Sequence, residues 1–178
     1  MTTFAAVQPE TATGTAVDLL AQVNASLGVT PNMTKVMANS PALLQSYLAL
    51  SGAVARGVLP AAVRERLAIA TAQLNGCEYC LSAHTHFGAT AAKLSAEELE
   101  SARRGRSQDA HIEALLALSN AIAENAGDVD EADVAAARLG GVTEEEIGEL
   151  VANLALNILT NYFNILAKVD NDWPVVAL

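Results

Sequence analysis

Aromatic residues are scarce: three Phe, three Tyr and one Trp make up 4% of the 178 residues. That is too few for the stacked-base platform of a single-strand nucleic-acid binder. Positive charge is scarce as well. Ten Lys and Arg stand against twenty Asp and Glu, a formal net charge of -10, and no basic cluster interrupts the excess. Nucleic acid and anionic membranes are therefore not expected partners. From Leu94 to Leu150, 14 acidic residues face 4 basic ones, which accounts for the whole net charge. The run Glu144-Glu145-Glu146 within it reads as a solvated, favourable helix start rather than a cation site. Long apolar runs are also missing. The most apolar stretches, 42–58 and 151–165, are broken by polar residues and fall short of the roughly 20 needed to span a bilayer, so they read as core helices. Residues 1–9 lack the basic start and apolar run of a secretory signal, and the expected location is the cytoplasm. Strand alternation, a dinucleotide fingerprint and a phosphate loop are all lacking.

What the sequence does have is small apolar residues in helical rhythm. It is 52% hydrophobic, mostly Ala, Leu, Ile and Val, and its length suits one domain that needs no disulfide or structural metal to fold. Capping signals divide it. Thr30-Pro31 and Ser40-Pro41 put a hydroxyl before a first-turn proline, Pro60 opens another segment, and Ser95 with Glu98 and Thr143 with Glu146 have capping-box spacing. The expected helices are 15–27, 31–38, 41–56, 60–75, 78–92, 95–103, 108–126, 130–138 and 144–167. The expected fold is all-α: a flexible segment 1–14, one helical domain over 15–169 and a tail over 170–178.

The sharpest motif follows the Asn75-Gly76 break. Cys77-Glu78-Tyr79-Cys80 leads into Leu81-Ser82-Ala83-His84, and a helix starting there puts Cys80 and His84 one turn apart on one face. Cys77 and Cys80, three positions apart, suit a local disulfide, and exposed amides at the helix start favour a thiolate. Half of a zinc site has the same spacing. It would have to recruit His84, His86, a carboxylate or a second subunit. On the preceding helix, Glu65 can reach His84 if the two helices pack back to back. Taken alone, Glu65 reads equally as a surface partner of Arg64 or Arg66.

Glu65, Cys77, Cys80 and His84, separated by eleven, two and three residues, resemble the active-site pattern of the AhpD-like alkylhydroperoxidase branch of the carboxymuconolactone decarboxylase superfamily. The match is strongest over residues 60–90. The resemblance implies an AhpD-like multi-helix fold with the CxxC motif at a helix N-terminus. It also implies a peroxidatic Cys80, a resolving Cys77 and a proton relay through His84 and Glu65, with no haem or flavin cofactor. Tyr79 stands where some relatives carry histidine, a departure that bears on the relay. His86 is a candidate accessory residue, although it lies off the face shared by Cys80 and His84. The implied reaction is reduction of small organic hydroperoxides or hydrogen peroxide. The implied partners are an external dithiol reductant, lipoylated or thioredoxin-like, and further copies of the chain in a trimer or dimer of trimers. A disulfide reductase or redox sensor without efficient peroxide turnover is the alternative, and a non-redox decarboxylase-like protein the more distant one. Elsewhere His111 reads as structural, Trp173 as a packing residue, and the Asn161–Asn164 stretch as facing a subunit boundary or a pocket.

Overall fold

The computed structural model describes residues 2–178. Among them are nine helices and no strand: α1 Thr15–Leu27, α2 Asn32–Met37, α3 Pro41–Val54, α4 Ala61–Asn75, α5 Glu78–Thr90, α6 Ala96–Arg103, α7 Ala110–Glu124, α8 Glu131–Leu139 and α9 Glu144–Ala167. Both capping boxes form, Ser95 with Glu98 on α6 and Thr143 with Glu146 on α9. Ser40 caps α3 by accepting from the Leu43 amide. Thr30 does not cap α2, because Pro31 itself takes the N-cap position in extended conformation. α7 starts two residues later than expected because the Asp109 carboxylate accepts from the amides of His111 and Ile112.

α4 is the central element, packed against α5, α6, α7 and α9. It is buried over nearly its full girth from Arg66 to Ala72, and it faces two cores at once. Ile69 and Ala72 belong to a core with α1, α2, α5 and the end of α9. Val63, Leu67 and Ala70 belong to a second core with Leu115, Leu116, Leu118 and Leu150. The buried Arg66 guanidinium is neutralised by Glu98, which fastens α4 to α6. α5 comes close to α6 at Gly88, where a Cβ would lie 2.8 Å from Leu99 Cδ2.

α9 is the one helix among the described residues long and apolar enough, by length and composition, to cross a membrane. In this fold its buried face packs on α3, α4, α5 and α7 and carries Asn153, Asn157, Asn161 and Asn164. Both ends of the chain lie on this body. The Thr3 amide donates to Ala167 O and the Val7 amide to Lys35 O, in the stretch expected to be flexible. At the other end the Val176 amide donates to Ser82 Oγ, and Arg103 donates to Ala177 O.

His111 has a structural position. Its Nε2 lies 2.8 Å from Glu146 Oε1 and its Nδ1 3.1 Å from Gly140 O, tying α7 to the start of α9. The hydrogen bond to Glu146 raises the His111 pKa, aided by the Gly140 carbonyl. Burial pushes Glu146 up, but the hydrogen bonds from Thr143 and His111 outweigh it and the net shift is downward. The histidine's contribution is therefore complete below its unfolded value of 6.5 and is lost as pH rises through the higher folded value. The glutamate's is lost only in acid. His111→Gln should destabilise the fold more at about pH 5.5 than at about pH 8.5, by about 0.5 kcal/mol or less for so exposed a pair; thermal melts at the two pH values check this.

Candidate active site

One tight turn builds the centre of the site. Gly76 ends α4 at φ +68, a left-handed conformation that side chains resist. The chain then reverses so that Cys77 becomes the N-cap of α5. The Cys80 amide donates to Cys77 Sγ at 3.3 Å, so the donors of the helix start serve Cys77 rather than Cys80. The two cysteines are joined in a disulfide with Cα atoms 5.3 Å apart, and both are buried.

Cys80 receives a different donor, from a residue far away in sequence. Asn164 on α9 donates from Nδ2 to Cys80 Sγ at 3.2 Å. The same nitrogen lies 3.2 Å from Met33 Sδ, while Asn164 Oδ1 is buried without a partner. An unpaired buried amide oxygen costs about 1–3 kcal/mol. Sequence alone puts Asn164 no closer to the site than a subunit boundary or a pocket. Asn153, Asn157, Asn161 and Asn164 follow helical spacing and mark a polar stripe on α9, but nothing in that spacing singles out the one that meets a sulfur. Its neighbour Asn161 has a structural partner, accepting from Asn75 Nδ2 at 3.0 Å. Asn164→Leu should cut alkylation of reduced Cys80 about tenfold or more, the scale of a lost hydrogen bond to an anion. Iodoacetamide kinetics on Cys77→Ser proteins with and without the change measure it.

Cys80, His84 and Glu65 all line one cavity of about 290 Å³. His84 Nδ1 lies 2.9 Å from Glu65 Oε2, so the back-to-back packing of α4 and α5 brings together the pair expected from sequence. Both side chains remain about a quarter exposed, at 28% and 23%, and solvent protons can reach them. The remaining walls are largely apolar, among them Met33, Phe87, Leu156 and Trp173. Tyr47 and Ser51 add hydroxyls. Burial pushes the Tyr47 phenol up, and the nearby Glu65 carboxylate adds to this against a hydrogen bond with Ser51; it stays a neutral hydroxyl. This arrangement can hold a small apolar molecule against a cysteine sulfur and move a proton beside it.

Tyr79 and His86 take positions apart from that proton path. Tyr79 also lines the cavity, but its hydroxyl donates to Asp172 at 2.7 Å. Burial, then Asp172 as hydrogen-bond acceptor and negative charge, raise its pKa strongly. It fastens the C-terminal tail over the site as a neutral hydroxyl. His86 stacks on Trp173 at 5.4 Å between ring centroids; Trp173 also meets Phe87 edge-on at 4.8 Å. His86 thus braces a wall of the cavity from outside. Among the described residues no group of three or more His, Cys, Asp or Glu side chains is arranged to hold a metal ion.

The nine helices among the described residues, the Cys77–Cys80 disulfide and the His84–Glu65 pair together define an all-α protein with a paired-cysteine site. Residues 41–124 match the model of the carboxymuconolactone decarboxylase family, a stretch that contains Glu65, Cys77, Cys80 and His84. Over the whole chain the fold is that of AhpD-like proteins. It is similar to an uncharacterised peroxidase-related protein with an alkylhydroperoxidase AhpD core from Ralstonia eutropha, at 22% identity and TM-score 0.84, covering 96% of this chain and 92% of that one. A peroxidase-related protein from Silicibacter is 20% identical, with TM-score 0.76 and 86% and 83% covered. The debrominase Bmp8, solved as a Cys-to-Ala variant with 2,3,4-tribromopyrrole, is 19% identical, with TM-score 0.80 and 97% and 92% covered. No curated protein matches the sequence. These likenesses establish the fold and show that it hosts more than one reaction.

Proposed function

We propose that the chain is a thiol-dependent peroxidase for small organic hydroperoxides, with hydrogen peroxide as a lesser substrate. One observation carries the reading: Cys80, already within disulfide reach of Cys77, opens on the same apolar cavity as the His84–Glu65 pair. His84, held by Glu65, takes the Cys80 proton, and Asn164 donates to the resulting thiolate. The thiolate attacks the terminal oxygen of ROOH and the O–O bond breaks. The alkoxide leaves with a proton returned through His84, and Cys80 becomes a sulfenic acid. The Cys77 thiol condenses with it, forming the disulfide and one water. An external dithiol then supplies two electrons and two protons to restore both thiols. A cytoplasmic setting rich in thiol reductants suits such a cycle. Assembly as a trimer or dimer of trimers belongs to the same proposal, with light scattering as its measurement.

A second reading, reductive dehalogenation, is favoured by the size and apolar lining of the cavity, which suit a small halogenated ring as well as a hydroperoxide. Steady-state turnover separates the two. With dithiothreitol as reductant, cumene hydroperoxide should be consumed with stoichiometric release of its alcohol, and tribromopyrrole should release no bromide. Bromide release without peroxide turnover would replace the peroxidase reading with dehalogenation.

A further inference from the structure

The disulfide has a second opening. Cys80 lines the apolar cavity and Cys77 does not. Cys77 instead lines a separate, more open recess of about 360 Å³, between the start of α5 and the end of α9, which Cys80 does not reach. Tyr79 and Asn164 line both spaces, so with the disulfide they form the partition between them. The recess is polar where the cavity is apolar: Glu78, Lys168, Asp170 and Asn171 stand around it. Two buried amide atoms of its lining, Asn164 Oδ1 and Asn171 Nδ2, have no hydrogen-bond partner. Cys77 is only 1% exposed, which keeps it from a flat protein face.

We propose that the reductant enters by this recess and attacks Cys77, while the oxidising substrate reaches Cys80 from the cavity, so that the two half-reactions use opposite sides of one disulfide. The inference rests on the dithiol cycle of the proposed function and assigns its second half. The occupant is a thiol that is small or carried on a narrow arm. A thiolate loses less hydration in the polar, open recess than in an apolar cavity. Exchange proceeds by attack on one sulfur and departure of the other, and a stabilised thiolate leaves faster. The incoming thiolate RS⁻ forms a bond to Cys77 Sγ as the Cys77–Cys80 bond breaks, and the electron pair goes to Cys80 Sγ, which accepts from Asn164 Nδ2. The reductant's second thiolate then attacks its own sulfur in the mixed disulfide. That step releases Cys77 as a thiolate held by the Cys80 amide. One dithiol becomes one disulfide, and the protein gains two thiols after its relay and solvent supply protons.

The test uses the wild-type chain, converted to its disulfide with diamide so that no peroxide chemistry is needed. The protein is treated with 2-mercaptoethanol, quenched within milliseconds by excess iodoacetamide, and the peptide containing both cysteines is fragmented by mass spectrometry. The expected product carries mercaptoethanol on Cys77 and the alkyl group on Cys80; the reverse pattern overturns the proposal. A second measurement follows reduction by dithiothreitol in Ile165→Trp, which narrows the recess. A folded variant should be reduced about tenfold more slowly, because access limits exchange, and an unchanged rate also overturns it. Failure of the peroxidase reading would appear separately, as a wild-type protein that 2-mercaptoethanol opens at Cys77 but hydroperoxide does not oxidise.

Discussion

Cys80→Ser should lose the fast reaction with cumene hydroperoxide by about 10³-fold or more, the scale on which removal of a nucleophile disables a site whose residues act as a unit. Cys77→Ser should behave differently. Its first turnover should keep nearly the full rate and release alcohol, but the sulfenic acid should persist and catalysis should stop after one equivalent. The asymmetry follows from position. Cys80 borders the substrate cavity with His84 and Glu65, whereas Cys77 lies behind the partition. The helix-start geometry alone would point the other way, because Cys77 is the N-cap and accepts from the Cys80 amide. In the proposed cycle, access and the neighbouring proton acceptor set the order of reaction, and the helix start serves the second sulfur. Stopped-flow alcohol release with dimedone trapping on the two variants distinguishes the orders; equal loss in both would show that the sulfurs are not specialised.

His84→Ala should slow peroxide-driven oxidation of Cys80 by about 10²–10⁴-fold, the span of a general acid or base removed from a reacting centre. Glu65→Gln should cost less, about tenfold, because it orients the imidazole without touching the reacting atoms. The double variant should be no slower than His84→Ala alone, since the two side chains act as one unit across a 2.9 Å contact. Added imidazole should restore part of the His84→Ala rate and none of the Cys80→Ser rate. That rescue separates a proton role from a packing role, because a collapsed cavity would not respond to a soluble base. Rates at several imidazole concentrations, read as thiol loss, check it.

The sequence carried the fold to within a few residues at most helix ends because its caps are explicit. Ser95 with Glu98 and Thr143 with Glu146 form the boxes their spacing announces, and α1 and α9 run over the stretches expected. It erred at Thr30, where the proline beside it took the cap position, and at the start of α7, where the side chain of Asp109 set the boundary. The site was legible where its parts are local. Cys77, Cys80 and His84 share one helix start, and Glu65 sits on the helix just before it. What could not be read is what the tertiary fold brings from a distance. Asn164 meets Cys80 across 84 positions and Asp172 meets Tyr79 across 93. No local pattern marks a buried amide as a sulfur's partner or a tail carboxylate as a phenol's. The division of the disulfide between two openings was equally hidden, because it depends on how α9 closes over α5.

A single turnover with peroxide tests most directly whether Cys80 is the reacting sulfur. Fully reduced wild-type protein is mixed with one equivalent of cumene hydroperoxide in stopped flow, with thiols, alcohol and protein mass followed together. One alcohol should be released and two thiols lost per chain, with a product lighter by two hydrogens through the Cys77–Cys80 disulfide and a rate far above that of a free cysteine thiol. Oxidation no faster than the free thiol, across several hydroperoxides, would contradict the peroxidase reading.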